Sequence, residues 1–466
     1  MAVNRRDIFW GYTAQLLNVG AGLILLPVIV RYFSPEDVGL WFVFITLAGL
    51  AQLLEFGFQP TLARNTAYVY AGARSLEKNG LPDINANSNS IDIELLANLI
   101  SASRKIYRIV SVFAVFILLG GGTFYIYSLL VPQQNVTVVL FAWVAFALGY
   151  IVTFYYGYFN GMLQGRGDIT AANQVVAITR GSLIVIGTLT IIMGYGLLGL
   201  GVASLISCII GRWLAIKLYY SQKNKELSDV KLIATDPNKL IKILWYNSSR
   251  LGAVQVGAFL IQRANILIAS SFLGLAAAAS YGMTLTVLMA IVNFSMVVCL
   301  IQLPTMNSLQ AIGNKKKLRT TYGSIVVVGW VTFLLAFTVL FFGGNSLLNA
   351  ISSKTLILPA LPLFFLGLVM LLELNHSLAA TYLTTINEIP FVRAALWSGV
   401  GIVLISLFFI KMWGIWALIA GQGLVQLAYN NWKWPALSVR SLGGDGAKII
   451  MEGFLGVRNI VYSRRK

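Results

Sequence analysis

The stretch LPVIVRYFSPEDVGLWFVFITLAGLAQLLEFGFQPTLAR (residues 26–64) decides how the rest of the chain is read. One apolar run closes at Val30 and a short polar turn follows. A second run opens at Val38 and carries no charge until Glu55. A helix that crosses a bilayer needs about 20 mostly apolar residues, so the two runs read as membrane spans joined by a tight turn. Two residues resist that reading. Glu55 is a carboxylate where the pattern says membrane, and Pro60 is a proline where it says helix.

The whole chain has the same character. Of its 466 residues 58% are hydrophobic and 11% charged, whereas charged residues make up about a quarter of an ordinary soluble domain. The composition therefore specifies an all-α polytopic membrane protein. The one histidine and the two cysteines, Cys208 and Cys299, support no disulfide framework and no metal cluster. No catalytic residue, metal or cofactor is expected, and no G-x-x-x-x-G-K-[ST] loop is present to bind ATP. The first apolar run follows Asn4-Arg5-Arg6, is too long for a signal sequence and reads as a helix that stays.

Twelve spans are expected, at 9–31, 38–62, 106–130, 138–162, 170–193, 197–219, 243–270, 280–303, 320–343, 358–385, 392–410 and 414–434. With that division, 28 of the 34 Lys and Arg residues fall on the side that holds both termini. Three (Arg31, Lys354, Lys411) fall on the other, and three (Arg180, Arg250, Arg263) lie within spans. So strong a bias places both termini in the cytoplasm. It also accounts for most of the net charge of +18, and with no folded basic domain a nucleic-acid partner is not expected. The expected organisation is a six-helix bundle over 1–219, a basic cytoplasmic linker over 220–242, a second bundle over 243–434 and a basic cytoplasmic tail over 435–466. Residues 77–90 read as a polar loop, and 91–103 and 447–462 as short helices lying on the membrane.

The two halves echo each other. FSPEDVGLW (33–41) joins the first two spans and LGLAAAASY (273–281) joins the seventh and eighth, and Pro60-Thr61 is matched by Pro304-Thr305. Halves of six spans are parallel repeats, which in transporters enclose a central cavity and rock against each other. The 26–64 stretch, with FNGMLQGRGDITAANQ (159–174), the length and the span number, resembles the polysaccharide flippases of the MATE-like exporter superfamily. That resemblance implies movement of an undecaprenyl-diphosphate-linked oligosaccharide, such as an O-antigen or exopolysaccharide repeat unit, across the bacterial inner membrane. It also implies membrane lipid, a polysaccharide polymerase and a chain-length regulator as partners. In the second-half turn alanines replace the acidic residues, so a symmetric pair of carboxylates is not supported.

Polar residues inside spans usually face protein or water. Several recur at helical spacing: Gln15 and Asn18 with Gly11 and Gly22; Gln52, Glu55 and Gln59; Ser248, Gln255 and Gln262; Thr286 and Asn293; and Glu373, Ser377, Thr381 and Thr384. Helix packing also collects small and polar residues, so each stripe has a structural reading beside the functional one. Arg263, Arg180 and Arg250 are candidate contacts for an anionic cargo, or structural partners of Glu55 or Glu373; snorkelling to the interface is a further reading of Arg250. Glu55, Glu373 and His376 are candidates for proton or sodium coupling. Gly57, Pro60 and Pro304 are candidate bending points. Other readings are a cation-coupled multidrug exporter of the same superfamily, and a scaffold or membrane enzyme of polysaccharide assembly. The intramembrane arginines disfavour the exporter, and the short outer loops disfavour the enzyme.

Overall fold

The computed structural model describes residues 5–55, 57–78, 91–132, 134–221, 236–386 and 391–463. It divides into two compact units, Met1–Val256 and Gly257–Lys466. The first contains α1 (Arg5–Tyr32), α2 (Pro35–Gln52), α3 (Phe58–Tyr70), α4 (Ile93–Val115), α5 (Thr123–Leu129), α6 (Val136–Tyr155), α7 (Tyr158–Gly165), α8 (Ile169–Ile192), α9 (Gly196–Tyr219) and most of α10 (Pro237–Gln262). The second contains α11 (Ala264–Phe272), α12 (Leu275–Ala311), α13 (Lys315–Ala350), α14 (Ala360–Thr384), α15 (Val392–Trp413), α16 (Ile415–Ala428), α17 (Asn430–Ser441) and α18 (Gly446–Ser463). The described residues contain no strand.

Among the described residues ten helices are long and apolar enough to cross a membrane, and an eleventh is formed if the two arms of α1, bent by 41° between Asn18 and Gly20, count as one. The protein is an all-α, multi-pass membrane protein. The twelfth expected span, 414–434, is covered by the 14-residue α16 and, after a break at Tyr429, by the start of α17. Most of the polar loop expected at 77–90 and most of the linker expected at 220–242 lie outside the described residues. Of the linker's end, Pro237 to Lys242 already belongs to α10.

The opening stretch shows why these elements form. Ser34 caps α2 by accepting a hydrogen bond from the Asp37 amide at 3.1 Å, and Pro35 sits in the first turn, where its missing N–H costs nothing. The span does not run on to residue 62 as expected. It tightens into a 3₁₀ turn at Leu53–Glu55, and Gly57 then adopts φ 71°, a left-handed conformation that favours glycine. Pro60 follows this break and lies in the first turn of α3, so it does not cause the break. Pro304 does not end its helix either, because α12 continues to Ala311.

Three further boundaries differ from expectation. Residues 93–103 are not a separate surface helix but the first turns of one 37-residue helical run, Ile93–Leu129. That run contains a π-helical segment, Phe116–Gly122. The fourth span ends at Tyr155, and α7 is a separate short helix. The seventh span is interrupted at Arg263, between α10 and α11.

Within the first unit the core is aromatic around fully buried Phe44, whose ring lies 5.0 Å from Trp143 and 5.6 Å from Phe146. In the second unit α18 lies against α13 through glycines. A Cβ on Gly323 would run into the Ile449 carbonyl, and one on Gly453 into the Gly323 backbone. Arg319 adds an ion pair to Glu452 at 2.7 Å along that seam. The helix expected at 447–462 is thus formed and packed on a neighbour.

Candidate functional site

Glu55 occupies the 3₁₀ turn that ends the second span. Its carboxylate accepts a hydrogen bond from Tyr107 Oη at 2.8 Å and from Gln52 Nε2 at 3.0 Å. Tyr107 is 1% exposed and comes from α4. No arginine lies within ion-pair distance of Glu55 among the described residues, so the structural ion pair expected for it is replaced by a phenol and an amide.

The carboxylate lines a partly open cavity of about 200 Å³ formed by residues of the first unit. Asn18, Gln52 and Gln59, singled out by their spacing, and Arg180, singled out as a charge within a span, line it with Glu55. Arg180, in the middle of α8, donates through Nε to Asn18 Oδ1 at 3.2 Å. The cavity also contains Arg212, which the span count assigned to the cytoplasmic loops. Arg212 belongs to α9, is 7% exposed, and its Nε has no hydrogen-bond partner. Sequence reasoning missed it because its neighbour Lys217 made the end of the helix look like the usual basic flank. The available signal was Gly211 beside it. A Cβ there would strike Thr179, so glycine lets α8 and α9 close together and brings residues 180 and 212 to one cavity.

The second unit carries its own buried polar chain. Glu373, 9% exposed, accepts from Gln426 Nε2 at 3.0 Å, and Gln426 Oε1 accepts from Asn430 Nδ2 at 2.6 Å. Asn430 also donates to Ser398 and accepts from Trp434 Nε1. His376 Nε2 lies 3.6 Å from Glu373 Oε1, and its Nδ1 is 3.1 Å from Asn431 Oδ1. The proximity of Glu373 and His376 expected from their spacing is therefore present, extended by four side chains from α16 and α17. A second network centres on Asn265, which accepts from Ser406 and donates to the Leu418 carbonyl.

The remaining sequence candidates are dispersed. Gln15, Gln255 and Asn293 are exposed, Gln262 is half-buried, and half-buried Arg263 sits at the α10–α11 break. Arg250 is in α10, and its side chain lies outside the described residues. The stretch at 159–174 forms a structural staple. Arg166 is ion-paired to Asp168, donates to the Tyr219 carbonyl at 2.9 Å and lies over the Tyr219 ring at 4.9 Å. Burial pushes the nearby Tyr70 hydroxyl above its ordinary pKa, against the opposing field of the Arg166 guanidinium. Among the described residues no group of three His, Cys, Asp or Glu side chains is arranged to hold a metal ion.

A family profile described as "Polysaccharide biosynthesis protein" matches residues 5–310. The chain belongs to this family. No curated protein matches it. Solved structures share the fold. An inward-facing multidrug resistance MATE family transporter of the MOP superfamily superposes with a TM-score of 0.67 at 14% identity, over 92% of this chain and 95% of that one. The MATE multidrug transporter DinF-BH in complex with R6G gives 0.60 at 14% identity, over 97% of each chain. A MOP superfamily transporter from Pyrococcus furiosus, whose binding pocket is described as of reverse polarity, gives 0.53 at 15%, over 94% of this chain and 95% of that one. At these identities the likeness shows a MATE-like transporter fold. With the family match, the chain is a multi-pass membrane protein of the polysaccharide biosynthesis family with a MATE-like fold.

Proposed function

We propose that the protein is a flippase that carries a lipid-linked oligosaccharide from the cytoplasmic to the outer leaflet of the bacterial inner membrane, exposing its cargo to each side in turn. The observation that supports this most is the family match over 5–310 on a chain with a transporter fold. The chemistry of the first unit agrees with it. The cavity there holds two arginines against one carboxylate, the wrong balance for a cationic drug and a suitable one for a protein that handles anions. Arg263, Arg250 and the exposed amides Gln15, Gln255 and Asn293 are proposed as cargo contacts. Glu55 and the Glu373–His376 pair are proposed as the groups that couple transport to a proton or sodium gradient. The heavy bias of Lys and Arg to one side supports cytoplasmic termini.

The test is deletion of the gene in its native host, followed by analysis of lipid-linked intermediates in each leaflet. The expected outcome is accumulation of undecaprenyl-linked glycan facing the cytoplasm, reversed by the wild-type gene. Export of the glycan at the wild-type rate in the deletion strain would overturn the proposal.

A further inference from the structure

Helix α18 shows two opposite faces. One rests on α13 between Arg319 and Ser324. Gly456 lies so close that a Cβ there would meet Thr320 and Ser324. The Ser324 hydroxyl donates to the Gly453 carbonyl at 3.2 Å, and buried Ile449 completes the contact. The other face, about half a helical turn from Gly453 and Gly456, points away from α13. It holds Met451, Phe454 and Leu455, which are 63%, 56% and 43% exposed and follow each other at i, i+3 and i+4. Exposed Lys448 lies one turn before this apolar stripe and exposed Arg458 one turn after Phe454.

The level of this face is set by α13. That helix runs for 36 residues, about 54 Å, against about 30 Å of membrane hydrocarbon. Its first turns carry Lys315, Lys316, Lys317 and Arg319, and it has no charge from Thr320 to Ala350. The α18 contact therefore falls where the charged end gives way to the apolar run, which is headgroup depth. Arg319 is taken up by Glu452. Lys315 and Lys316 lie one turn before Arg319 and Thr320, on the side that α18 touches. Among the described residues Lys315, Lys316, Lys317, Lys448 and Arg458 take part in no ion pair.

We propose that α18 and the first turn of α13 form a binding surface for anionic phospholipid. Met451, Phe454 and Leu455 enter the acyl region beneath the headgroups, and Lys448, Arg458, Lys315 and Lys316 take the phosphates. The combination selects the occupant. Water would leave the apolar stripe exposed, and a leaflet without net charge would leave the cations without counter-charge. A second copy docked through the same face would bring Lys448 and Arg458 against each other, where like charges repel. The inference does not depend on what the protein transports.

The experiment uses the full-length protein in nanodiscs of phosphatidylcholine alone, or of equal parts phosphatidylcholine and phosphatidylglycerol. Amide hydrogen exchange then reports how often α18 opens. The expected result is exchange at least tenfold slower across 446–463 in the mixture, with exchange in α14 the same in both. The combined changes Lys448→Gln, Arg458→Gln, Lys315→Gln and Lys316→Gln should abolish the difference, and unchanged exchange in α14 shows that this variant is folded. Lys448→Arg with Arg458→Lys should keep it. If the fourfold variant does not fold, Arg458→Gln alone decides and must reduce the difference. Lys411→Gln, an exposed cation in the last turn of α15, is the control and should behave as the wild type does. The proposal is overturned if exchange is equal in the two nanodiscs, if the glutamine variant keeps the difference, or if the control loses it. Equal protection together with a disulfide-linked dimer of Met451→Cys would assign the face to a second copy instead. The nanodiscs contain no glycan-linked lipid and no transport is measured, so this proposal and the flippase proposal fail separately.

Discussion

The position of Glu55 is explained by residues far from it in sequence. A carboxylate at the end of an apolar span needs donors, and the Tyr107 hydroxyl and the Gln52 amide provide them. Gln52 was legible, three residues away on the same face. Tyr107 was not, because 52 positions separate it from Glu55 and nothing in its local sequence marks it. Tyr107→Phe should leave the carboxylate short of a donor and destabilise the protein by about 1–3 kcal/mol, seen as a lower Tm. In the second unit Gln426→Leu should cost a similar amount, since it removes the amide from Glu373 while adding apolar volume. Unchanged unfolding in either variant would show that water satisfies these carboxylates. Arg212 makes the same point about legibility. Position along a helix suggested an interfacial charge, whereas its burial follows from how closely α8 and α9 approach.

Elements were legible where hydrophobic length alone defines them and poorly legible where backbone geometry does. Long uniform spans such as α8 and α9 were found within a few residues. The break at Gly57 was missed because the apolar pattern runs on through the 3₁₀ turn and only the positive φ reveals it. Proline was a poor guide, since α12 passes through Pro304. Close helix contacts were also hidden, because glycine has no side chain to signal them. Gly453→Leu should lift α18 from α13, and limited proteolysis should then remove the C-terminal helix faster than in the wild type. At the α7–α8 connection, Arg166→Lys keeps the charge and loses the planar fork that serves Asp168 and the Tyr219 carbonyl together. A destabilisation of about 1–3 kcal/mol by thermal unfolding is expected.

For the whole molecule, composition was enough to give a multi-pass helical protein, because so few charges cannot coat a soluble surface of this size. Charge placement carries the orientation, which site-specific labelling checks. In a cysteine-free background, Lys316→Cys at one end of α13 should react with a membrane-impermeant maleimide only from the cytoplasmic side. Lys354→Cys, beyond the other end, should react only from outside. The reverse pattern would invert the topology.

The π-helical segment Phe116–Gly122 gives the third span an unusual tolerance. A π turn holds one residue more than the α-helix around it, so the side-chain faces before and after it are already out of phase by one position. Removing one residue elsewhere in a packed span would swing every later side chain by about 100° and misalign it with its neighbours. Removing Gly120 or Gly121, where a Cβ would meet nothing within 4 Å, only returns the wide turn to an ordinary one and leaves both flanking faces where they are. The span therefore carries a spare residue, and a shortened chain should still insert and fold, as its solubilised yield and Tm would report. Gly122 is not interchangeable with them, since the Trp143 ring rests against it.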